Sequence, residues 1–548
     1  METWKNQLYF GDNLDILRGQ RIPAGSVDLI YLDPPFNSNA TYNVLFAEKS
    51  GEKSAAQITA FEDTWQWGQE AEGAYHDVVT LGPRKLADLI QALRAFLGQN
   101  NMMAYLTMMA VRLVELHRVL KPTGSIYLHC DPTASHYIKL LLDAVFGHKR
   151  FLSEIVWKRT SAHSSAKRPG PSHDILFLYS KSANYIWNPI FTAHDSKYIQ
   201  SHYTQTDSDG RIWQPDNLTA MGTRKGSSGK PWRGFDVAAK GNHWKFTIEN
   251  LEKLDAEGKI YWPASGGWPR YKRYLDEVKG IFLQDLWTDI PPINAQAKER
   301  LGYPTQKPEG LLERIINLSS NPGDLVLDPF CGCGTALNVA ERLKRRWIGI
   351  DITHLAITLI KKRLHDSFGP DLAPYEVIGE PADILSAEAL ALTNRHQFEW
   401  WVLGRVEARP AQDKKKGADS GVDGVIHFND DNSGKYKRVL IQVKSGAVKA
   451  GDIRDLKGVL DREQAAIGAF LTLKPPTKPM REEAAAAGFY EPVHFPGRRY
   501  PRLQILTIAE LFAGKEIDYP RFAPAVTFKK AARQQKGPAP EDQQGGLL

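Results

Sequence analysis

Asp33, Pro34, Pro35 and Phe36 directly follow the largely apolar run VDLIYL (27–32) near the amino end of the chain. Such a run predicts a buried strand, and open α/β sheets bind ligands at the carboxyl ends of their strands. The two prolines fix φ and remove two backbone N–H groups, so carbonyl oxygens dominate the local backbone polarity. The four residues therefore offer a carboxylate, a rigid carbonyl and an aromatic face, which together suit an exocyclic amine on a nucleobase.

A second loop of similar design lies nearly 300 residues later, after the strand-like run DLVLD (324–328). It contains an acid, a proline, an aromatic residue, two glycines and a threonine: Asp328, Pro329, Phe330, Gly332, Gly334 and Thr335. Glycine lets a backbone pass close to a ligand, and the start of the following helix offers N–H groups. Asp351 ends the next predicted strand, where nucleotide-binding sheets hold ribose hydroxyls. Although Leu337 occupies the third glycine position of the dinucleotide pattern, the whole arrangement predicts a nucleotide cofactor loop.

Together the two loops resemble those of the DNA amino-methyltransferases, which use S-adenosyl-L-methionine to methylate adenine N6 or cytosine N4. Asp33 to Phe36 match the catalytic motif of this family, with Phe36 in place of the commoner tyrosine. The glycine loop from Asp328 matches its cofactor loop, and YPTQKPEGLLERII (303–316) matches the preceding helix. The order of catalytic half, recognition region and cofactor half is that of the β group of the family.

The resemblance implies a fold, a cofactor and a reaction for residues from about 5 to 385. A circularly permuted, Rossmann-like α/β sheet would bring the two distant loops to one pocket. Thr305 and Lys307 are implied cofactor contacts, together with the glycine loop. The target base would be flipped out and stacked on Phe36, while Asp33 and the Pro34 carbonyl accept hydrogen bonds from its amine. Asp33 or solvent would then take the proton. An Asp-type motif favours adenine N6, and cytosine N4 stays open as the alternative.

Asp423, Gln442 and Lys444 form a second group with chemical potential. The run RVLIQVK (438–444) predicts a strand, on which positions 442 and 444 point to the same face. An acid and an amide oxygen can hold Mg²⁺, while a lysine can orient a water or stabilise a developing phosphorane. A solvent-facing hairpin with ordinary Gln and Lys residues is the alternative that spacing alone leaves open.

The segment from QFEWW to ELFAG (397–514) resembles the Mrr-type branch of the restriction-endonuclease fold. The family pattern of an early Glu, G-x-D and Q-x-K is matched by Glu399, Asp423, Gln442 and Lys444. Glu407 is a rival for the early acid. The resemblance implies a Mg²⁺-dependent endonuclease whose metal is held by the first three residues, with Lys444 acting in catalysis. One chain would then mark and cut DNA, as a fused restriction–modification protein does. A domain that only binds DNA is the alternative.

The elements that must position these residues divide the chain into five predicted parts. Strands alternate with helices in residues 1–160, the catalytic half, and in 301–390, the cofactor half, which indicates a parallel sheet. Residues 161–300 mix Gly, Ser, aromatic and basic residues and form the predicted target-recognition insertion. Residues 395–520 form the predicted Mrr-like nuclease domain. Residues 526–548 are rich in Pro, Gln and Gly, and we expect them to be disordered.

Length and composition narrow the classes of protein that fit. The 548 residues, 42% of them hydrophobic, suffice for several globular domains. A net charge of +7 is a modest basic excess that suits double-stranded DNA as partner, with RNA less favoured. The three cysteines are too few for a disulfide framework, and METWKNQLYFGDN does not have the pattern of a signal peptide. No apolar run reaches membrane-spanning length. We therefore expect a cytoplasmic protein without membrane contact. A DNA-binding regulator with inactive sites is a rival, and the oligomeric state, including a homodimer, stays open.

Overall fold

The structure of the chain is a computed structural model. It describes residues 4–35, 41–47, 53–62, 67–160, 169–294, 296–303, 305–411, 421–430, 436–492, 497–521 and 530–534, with 41–47 and 53–62 described by their backbone alone. The described parts of residues 1–188 and 285–541 form one compact unit, and residues 189–284 form another.

The amino-terminal half of the first unit alternates strands with helices. Its elements are β1 (Asn6–Phe10), α1 (Asn13–Arg18), β2 (Val27–Leu32), β3 (Thr41–Ala47), β4 (Lys53–Glu62), α2 (Gln69–Leu81), α3 (Arg84–Leu97), α4 (Asn101–Val119), β5 (Leu120–Cys130), α5 (Pro132–Phe146), β6 (Phe151–Lys158) and β7 (His173–Ser180). The helix predicted from the apolar spacing of residues 104–120 is α4, whose first turn is capped by the Asn100 side chain. All six residues of β2 are buried, as expected for a central strand.

The second unit consists of short strands and two helices. Its elements are β8 (Phe191–Thr192), α6 (Ser196–His202), β9 (Gln205–Thr206), β10 (Ile212–Asn217), β11 (Thr219–Met221), β12 (Asn242–Trp244), α7 (Ile248–Ala256), β13 (Ile260–Tyr261), β14 (Arg270–Tyr274) and β15 (Ile281–Phe282). Trp232, Trp244 and Leu251 lie in a small core of its own. Two tryptophans of this segment, Trp232 and Trp244, therefore pack inside, although the sequence shows little periodicity.

The chain then returns to the first unit and completes a nine-stranded sheet. The elements of this part are β16 (Leu286–Trp287), α8 (Glu309–Ser319), β17 (Leu325–Asp328), α9 (Thr335–Arg342), β18 (Arg346–Asp351), α10 (His354–Phe368) and β19 (Tyr375–Ile378). The strand order is β16-β6-β7-β5-β2-β17-β18-β1-β19. The sheet differs from the predicted parallel one at β7, which is antiparallel to β5 and β6. Consecutive strands can pair in an antiparallel manner without the long crossover connection that parallel pairing needs.

The two halves of the sheet meet where β2 pairs in parallel with β17. The acid inside the apolar run of β2 serves this contact, because Asp28 is 3% exposed and its Oδ2 accepts the Leu325 N–H at 2.9 Å. Lys121 Nζ lies 2.7 Å from the other carboxylate oxygen. The pairing places the ends of β2 and β17 side by side. The predicted α/β fold, with distant loops on adjacent strand ends, is therefore confirmed.

The C-terminal part of the first unit has its own five-stranded sheet, in the order β20-β21-β22-β23-β26. Its elements are α11 (Ile384–Thr393), α12 (Arg395–Arg405), β20 (Arg409–Pro410), β21 (Gly424–Phe428), β22 (Lys437–Lys444), α13 (Ala450–Arg462), β23 (Ile467–Thr472), α14 (Lys478–Ala485), β24 (Phe489–Tyr490), β25 (Tyr500–Pro501), β26 (Leu503–Thr507) and α15 (Ile508–Phe512). Val439 and Ile441 in β22 pack with residues of α12, whereas Leu440 packs with residues of α13. The sheet thus has helices on both faces.

Some predicted boundaries differ from the structure. β7 lies in the large sheet, so the separate unit comprises residues 189–284 rather than 161–300. α11 packs with the C-terminal core, which therefore begins before residue 395. Residues 530–534 of the predicted disordered tail lie against α10 and α8, where Gln534 donates to the Ser367 carbonyl and to Glu309. No helix within the described ranges combines the length and apolar character that a membrane crossing requires.

Candidate active site

Asp33 stands at the end of β2, and its carboxylate forms an ion pair with Lys307. Lys307 Nζ lies 2.5 Å from Asp33 Oδ2, and the two side chains are 11% and 14% exposed. Because α8 packs against β2, the loop before α8 reaches the predicted catalytic acid. Lys307, which the sequence predicts as a cofactor contact, therefore also holds the carboxylate at the predicted reaction centre. Phe36, the predicted stacking ring, lies outside the described residues.

The glycine loop between β17 and α9 uses both of its predicted glycines. Gly332 and Gly334 have φ of +50° and +73°, in the left-handed region that favours glycine. A Cβ on Gly332 would lie 3.2 Å from the Tyr303 ring, and one on Gly334 would lie 2.8 Å from Ile360. Gly334 is also the N-cap of α9. Conformation and space therefore both require glycine where the chain turns into this helix.

The missing third glycine is compensated on the facing strand. Leu337 in α9 occupies that position, and Gly349 in β18 lies directly against it. A Cβ on Gly349 would be 2.4 Å from Leu337 Cδ1. Close packing of helix on strand, which the third glycine normally permits, is achieved here by a glycine of the strand. The helix α9 therefore packs closely on β18 although the third glycine of the dinucleotide pattern is missing.

Asp351 ends β18 and joins the glycine loop through its carboxylate. Oδ2 accepts the Gly332 N–H at 2.9 Å, and Oδ1 accepts the Thr353 N–H at 2.9 Å and the Thr353 hydroxyl at 2.8 Å. Burial raises the pKa of Asp351 to about 6, although these hydrogen bonds act in the opposite direction. Burial also raises the pKa of Asp328 well above its usual value, and the charge of Asp33 adds to this effect. Both carboxyl groups would gain from additional hydrogen-bond donors.

The two sequence motifs line one cavity of about 350 Å³ in the first unit. The predicted residues in its wall are Asp33, Pro34, Pro35, Thr305, Lys307, Asp328, Pro329, Phe330, Gly332, Thr335 and Asp351. Gly334 is not part of the wall and instead starts the helix behind it. Catalytic and cofactor candidates that are nearly 300 residues apart in the chain thus share one pocket.

A third strand end contributes to the cavity and escapes the sequence prediction. β1 pairs in parallel with β18, which brings Asn13 to the same edge of the sheet. Asn13 Nδ2 donates to the Pro329 carbonyl at 2.7 Å, and Arg112 Nε donates to Asn13 Oδ1 at 2.6 Å. Arg112 is 2% exposed. The signal in the sequence is YFGDN (9–13), an acid-bearing turn that follows a short apolar run, as at the other two strand ends.

The residues predicted for the second site lie around β22 in the C-terminal sheet. Asp423 directly precedes β21, and its Oδ2 accepts the Val443 N–H at 2.7 Å. Gln442 is 9% exposed, and its Oε1 accepts no hydrogen bond from a described residue. Lys444 follows on the same face of the strand. The structure therefore ties the acid to the strand that carries the amide and the lysine.

Glu399 is engaged elsewhere, on α12. Its Oε1 lies 3.0 Å from Arg395 Nε, and its Oε2 lies 3.6 Å from His396 Nδ1. The rival acid Glu407 follows the helix at a turn, with φ of +53°. In the part of the chain that the structure describes, no group of three or more His, Cys, Asp or Glu residues is placed to hold a metal ion. The assignment of Glu399 as a metal ligand stays a prediction.

Known proteins are similar in sequence to the region that contains most residues of the cavity wall. A family model described as "DNA methylase" matches residues 27–362, more than half of the chain. The Type II methyltransferase M.EcaI of Enterobacter cloacae is 33% identical over 359 residues, which cover 65% of this chain and 69% of the relative. The chain belongs to the DNA methylase family.

This DNA methylase has relatives in several kinds of modification system. The Type III restriction-modification enzyme StyLTI Mod subunit of Salmonella typhimurium is 28% identical over 356 residues, covering 62% of this chain and 50% of the relative. The DNA adenine methyltransferase YhdJ of Escherichia coli (strain K12) is 27% identical over 356 residues, covering 65% of this chain and 81% of the relative. The chain thus spans half the length of the Type III relative. The resemblance to DNA amino-methyltransferases is confirmed.

The C-terminal domain of the methylase matches a separate family. A model described as "NACHT-associated inactive Restriction Endonuclease 1" matches residues 395–513. The predicted fusion of a methyltransferase with a restriction-endonuclease-like domain is therefore confirmed. The word "inactive" in that description concerns the family, and cleavage of DNA by this chain stays a prediction.

Proposed function

We propose that this DNA methylase is a site-specific enzyme that transfers the methyl group of S-adenosyl-L-methionine to N6 of adenine in double-stranded DNA. The observation that carries the proposal is the parallel pairing of β2 with β17. Because of this pairing, Asp33 and Pro34 line the same cavity as the glycine loop around Gly332. Two acceptors for an amine and a nucleotide-binding loop therefore meet in one pocket.

S-adenosyl-L-methionine suits the wall that the glycine loop forms. When bound, it supplies an electrophilic methyl group. Asp351 would hold the ribose hydroxyls, because its carboxyl lies in the wall and its raised pKa of about 6 reflects a buried acid that is short of donors. Phe330 and Thr335 line the same wall and would contact the rest of the molecule. Gly332 leaves room for the ligand against the backbone.

Asp33 and the Pro34 carbonyl are the groups that would orient the target amine. If each accepts one N–H of the amine, the lone pair of the nitrogen turns toward the methyl group. Lys307 keeps the Asp33 carboxylate in position through the ion pair at 2.5 Å. Alignment of the reacting atoms contributes up to roughly 7–11 kcal/mol to lowering the barrier. The ring of Phe36 would stack on the base once it has left the duplex.

Adenine N6 is the proposed target rather than cytosine N4. An Asp-type motif goes mostly with adenine in the families that this chain resembles. YhdJ, whose match covers 65% of the chain, is named a DNA adenine methyltransferase. Digestion of modified DNA to nucleosides and mass spectrometry distinguish N6-methyladenine from N4-methylcytosine. Detection of N4-methylcytosine alone would move the proposal to the other base.

Transfer of a tritiated methyl group to duplex DNA tests the proposed reaction. We expect Asp33→Ala to abolish the transfer, because it removes an acceptor for the amine. The control Asp143→Ala changes another acid that pairs with a lysine, at 2.8 Å from Lys139, but lies outside the cavity wall. It should keep a rate within about twofold of wild type. Equal rates for Asp33→Ala and wild type would refute the role of Asp33.

We infer that the second compact unit, residues 189–284, reads the DNA sequence. Met221, 91% exposed, ends β11, and Arg224 and Lys225 follow it in an exposed turn. Such basic residues suit phosphate contacts, and each contact steepens the fall of log K with log salt concentration by about 0.9. We expect the double variant Arg224→Ala/Lys225→Ala to bind DNA more weakly, with a fall that is shallower by about 1.8. Lys253→Ala, 75% exposed on α7, is the control, and equal effects of both would contradict the assignment.

A second candidate function is Mg²⁺-dependent cleavage of DNA by the C-terminal domain. The favouring observation is Gln442 Oε1, which is buried without a hydrogen-bond partner in the described structure, on the strand that Asp423 contacts. Asp423 and Gln442 are oxygen ligands of the kind Mg²⁺ takes, and Lys444 would stabilise charge on the phosphate. The description of the matched family as inactive favours the alternative, in which the domain only binds DNA.

Incubation of unmethylated DNA with the full chain and Mg²⁺ separates these two functions. A nuclease cleaves in the presence of Mg²⁺ but not with chelator, and Lys444→Ala abolishes the cleavage while methyl transfer continues. Lys478→Ala, an 89% exposed lysine of the same domain, should cut as wild type does. Absence of Mg²⁺-dependent cleavage by wild type would leave DNA binding as the function of the domain.

A further inference from the structure

A chain of buried hydrogen bonds leads from the cavity wall into the core of the large sheet. The Tyr31 hydroxyl lies 3.1 Å from His129 Nδ1, and His129 Nε2 lies 3.0 Å from Asp174 Oδ2. Tyr31 lines the cavity beside Asp33, whereas His129 and Asp174 are 0% and 1% exposed. The three residues come from the neighbouring strands β2, β5 and β7. An internal imidazole is thus connected to a hydroxyl in the cavity.

The ionisation of Asp174 determines which nitrogen of His129 carries hydrogen. Burial opposes ionisation, but the hydrogen bond from His129 and the surrounding positive charges hold the pKa of Asp174 below its usual value. A carboxylate only accepts hydrogen bonds, so His129 Nε2 is the donor to it. In the neutral ring Nδ1 is then an acceptor, and the Tyr31 O–H donates to it. The oxygen of Tyr31 can then accept a further hydrogen bond.

Packing holds the ring of His129 in this orientation. Trp157 in β6 contacts it edge-on, with ring centroids 5.8 Å apart and planes at 85°. Trp157 is itself fixed, because its Nε1 donates to the Ile290 carbonyl at 2.9 Å. Two hydrogen bonds and an aromatic edge therefore fix the imidazole. Rigid placement of this kind preserves the direction of proton transfer.

Asp33 is poorly placed to take up a proton. Its Oδ2 contacts the ammonium of Lys307 at 2.5 Å, and both side chains are largely buried. Protonation of the carboxylate would break this buried ion pair, which is costly. Tyr31 lines the same cavity as Asp33, and the charge of Asp33 contributes to the raised pKa of Tyr31. A second acceptor for a proton therefore lies next to the first in the cavity wall.

We propose that Tyr31 and His129 form a relay that accepts the proton lost by the target amine, an inference that rests on the methyl transfer proposed above. As the nitrogen–methyl bond forms, the methyl–sulfur bond breaks and its electron pair stays on sulfur. After the transfer, the N–H that Asp33 had accepted turns to the Tyr31 oxygen, where this N–H bond breaks and an O–H bond forms. The original hydroxyl proton of Tyr31 passes to His129 Nδ1. The result is a neutral methylated amine, a neutral Tyr31 and an imidazolium at His129.

Asp174 supplies the negative charge beside the imidazolium. Its Oδ2 lies 3.0 Å from His129 Nε2, and Arg159 Nη1 lies 3.4 Å from its other oxygen. The charges of Lys307 and Arg159 help to keep Asp174 ionised, because they lower its pKa. Burial, and next the nearby carboxylates, raise the pKa of Tyr31 well above its usual value. The relay therefore works without a tyrosinate.

Two variants and a matched control test the relay in the full chain. Tyr31→Phe removes the hydroxyl, and His129→Asn removes the proton acceptor. The control Tyr127→Phe removes another buried hydroxyl, which is 2.8 Å from Ser319 Oγ and outside the cavity wall. We expect single-turnover methyl transfer to slow about 10²-fold in the first two variants, as for loss of a general base, and to stay within about twofold in the control.

The tautomer of His129 separates proton transfer from a structural role. In cofactor-free protein labelled with ¹⁵N-histidine, the signals that disappear in His129→Asn should show the neutral Nε2–H tautomer. An Nδ1–H tautomer, or Tyr31→Phe within about threefold of wild type, overturns the relay. Wild type that transfers no methyl group overturns the proposed function with it.

Discussion

Replacement of Asp351 by Asn should stabilise the cofactor-free protein at neutral pH, although it removes a proposed cofactor contact. Burial raises the pKa of Asp351 from 3.8 to about 6 in the folded chain. The folded state therefore binds this proton more tightly than the unfolded state does, so the free energy of unfolding falls as the pH rises between these values. Asn resembles the protonated acid and carries no charge, so it escapes this loss.

The magnitude follows from the two pKa values and one hydrogen bond. The difference between 3.8 and about 6 corresponds to about 3 kcal/mol at pH 7.5 and to about 1.5 kcal/mol at pH 5. Asn offers one accepting oxygen where Asp351 uses two, for Gly332 and Thr353, and the lost hydrogen bond costs about 1 kcal/mol. The net gain is about 2 kcal/mol at pH 7.5 and about 0.5 kcal/mol at pH 5.

Thermal unfolding of the cofactor-free protein at the two pH values measures this effect. A gain of about 2 kcal/mol should raise the midpoint by about 2 °C at pH 7.5, with little change at pH 5. Asp383→Asn is the control of opposite sign, because hydrogen bonds from Ser386 lower the pKa of this exposed cap of α11. It should destabilise at neutral pH. A midpoint below wild type for Asp351→Asn at pH 7.5, or equal shifts at both pH values, would refute the reasoning.

Three further predictions concern cofactor binding by Asp351 and two close contacts in the large sheet. Because Asp351 has a pKa of about 6, the Kd for S-adenosyl-L-methionine, measured by calorimetry, should rise as the pH falls below about 6. Asp351→Asn should bind the cofactor weakly and independently of pH. A wild-type Kd that does not change with pH would contradict this prediction. Gly349→Ala should lower the free energy of unfolding by about 1–3 kcal/mol, since its Cβ would lie 2.4 Å from Leu337. A second change, Leu337→Ala, should relieve that contact, so the effects of the two substitutions on stability should not be additive in chemical denaturation. Additive effects would argue against the close packing. Asp28→Asn should lower the free energy of unfolding, measured in the same way, by about 1–3 kcal/mol, because it weakens the buried hydrogen bond to Leu325 that joins the two halves of the sheet. Unchanged stability would show that strand pairing alone holds this junction.

The residues of the catalytic and cofactor loops could be predicted because their signals are local. Buried strands, the prolines after Asp33 and the left-handed glycines at positions 332 and 334 each follow from a few neighbouring residues. Helix α4 likewise follows from its apolar spacing and its Asn100 cap. Each of these features depends on the backbone conformation or burial of one short segment, so one sequence suffices to find it.

Other parts of the site depend on partners that are distant in the chain. Lys307 could be recognised as a residue of the site, but its ion pair with Asp33 joins positions 274 residues apart. Asn13 and Arg112 likewise come from two different helices, and His129 and Asp174 from two different strands. Which of these elements become neighbours is decided by the order of strands in the sheet. Their residue types are ordinary in any core or surface, so spacing alone does not distinguish them.

By itself, the sequence determined which segments form strands, where glycine and proline constrain the backbone, and that two loops share the chemistry of one enzyme family. Tertiary structure decided which strand ends become neighbours, and thereby which charges face one another in the cavity. The physical reason is that backbone preferences act over a few residues, whereas ion pairs and hydrogen bonds act between any groups that the sheet brings within about 3 Å. Asp33 thus obtains its lysine only when the segment before α8 packs beside β2, and His129 obtains its carboxylate only when β5 pairs with β7.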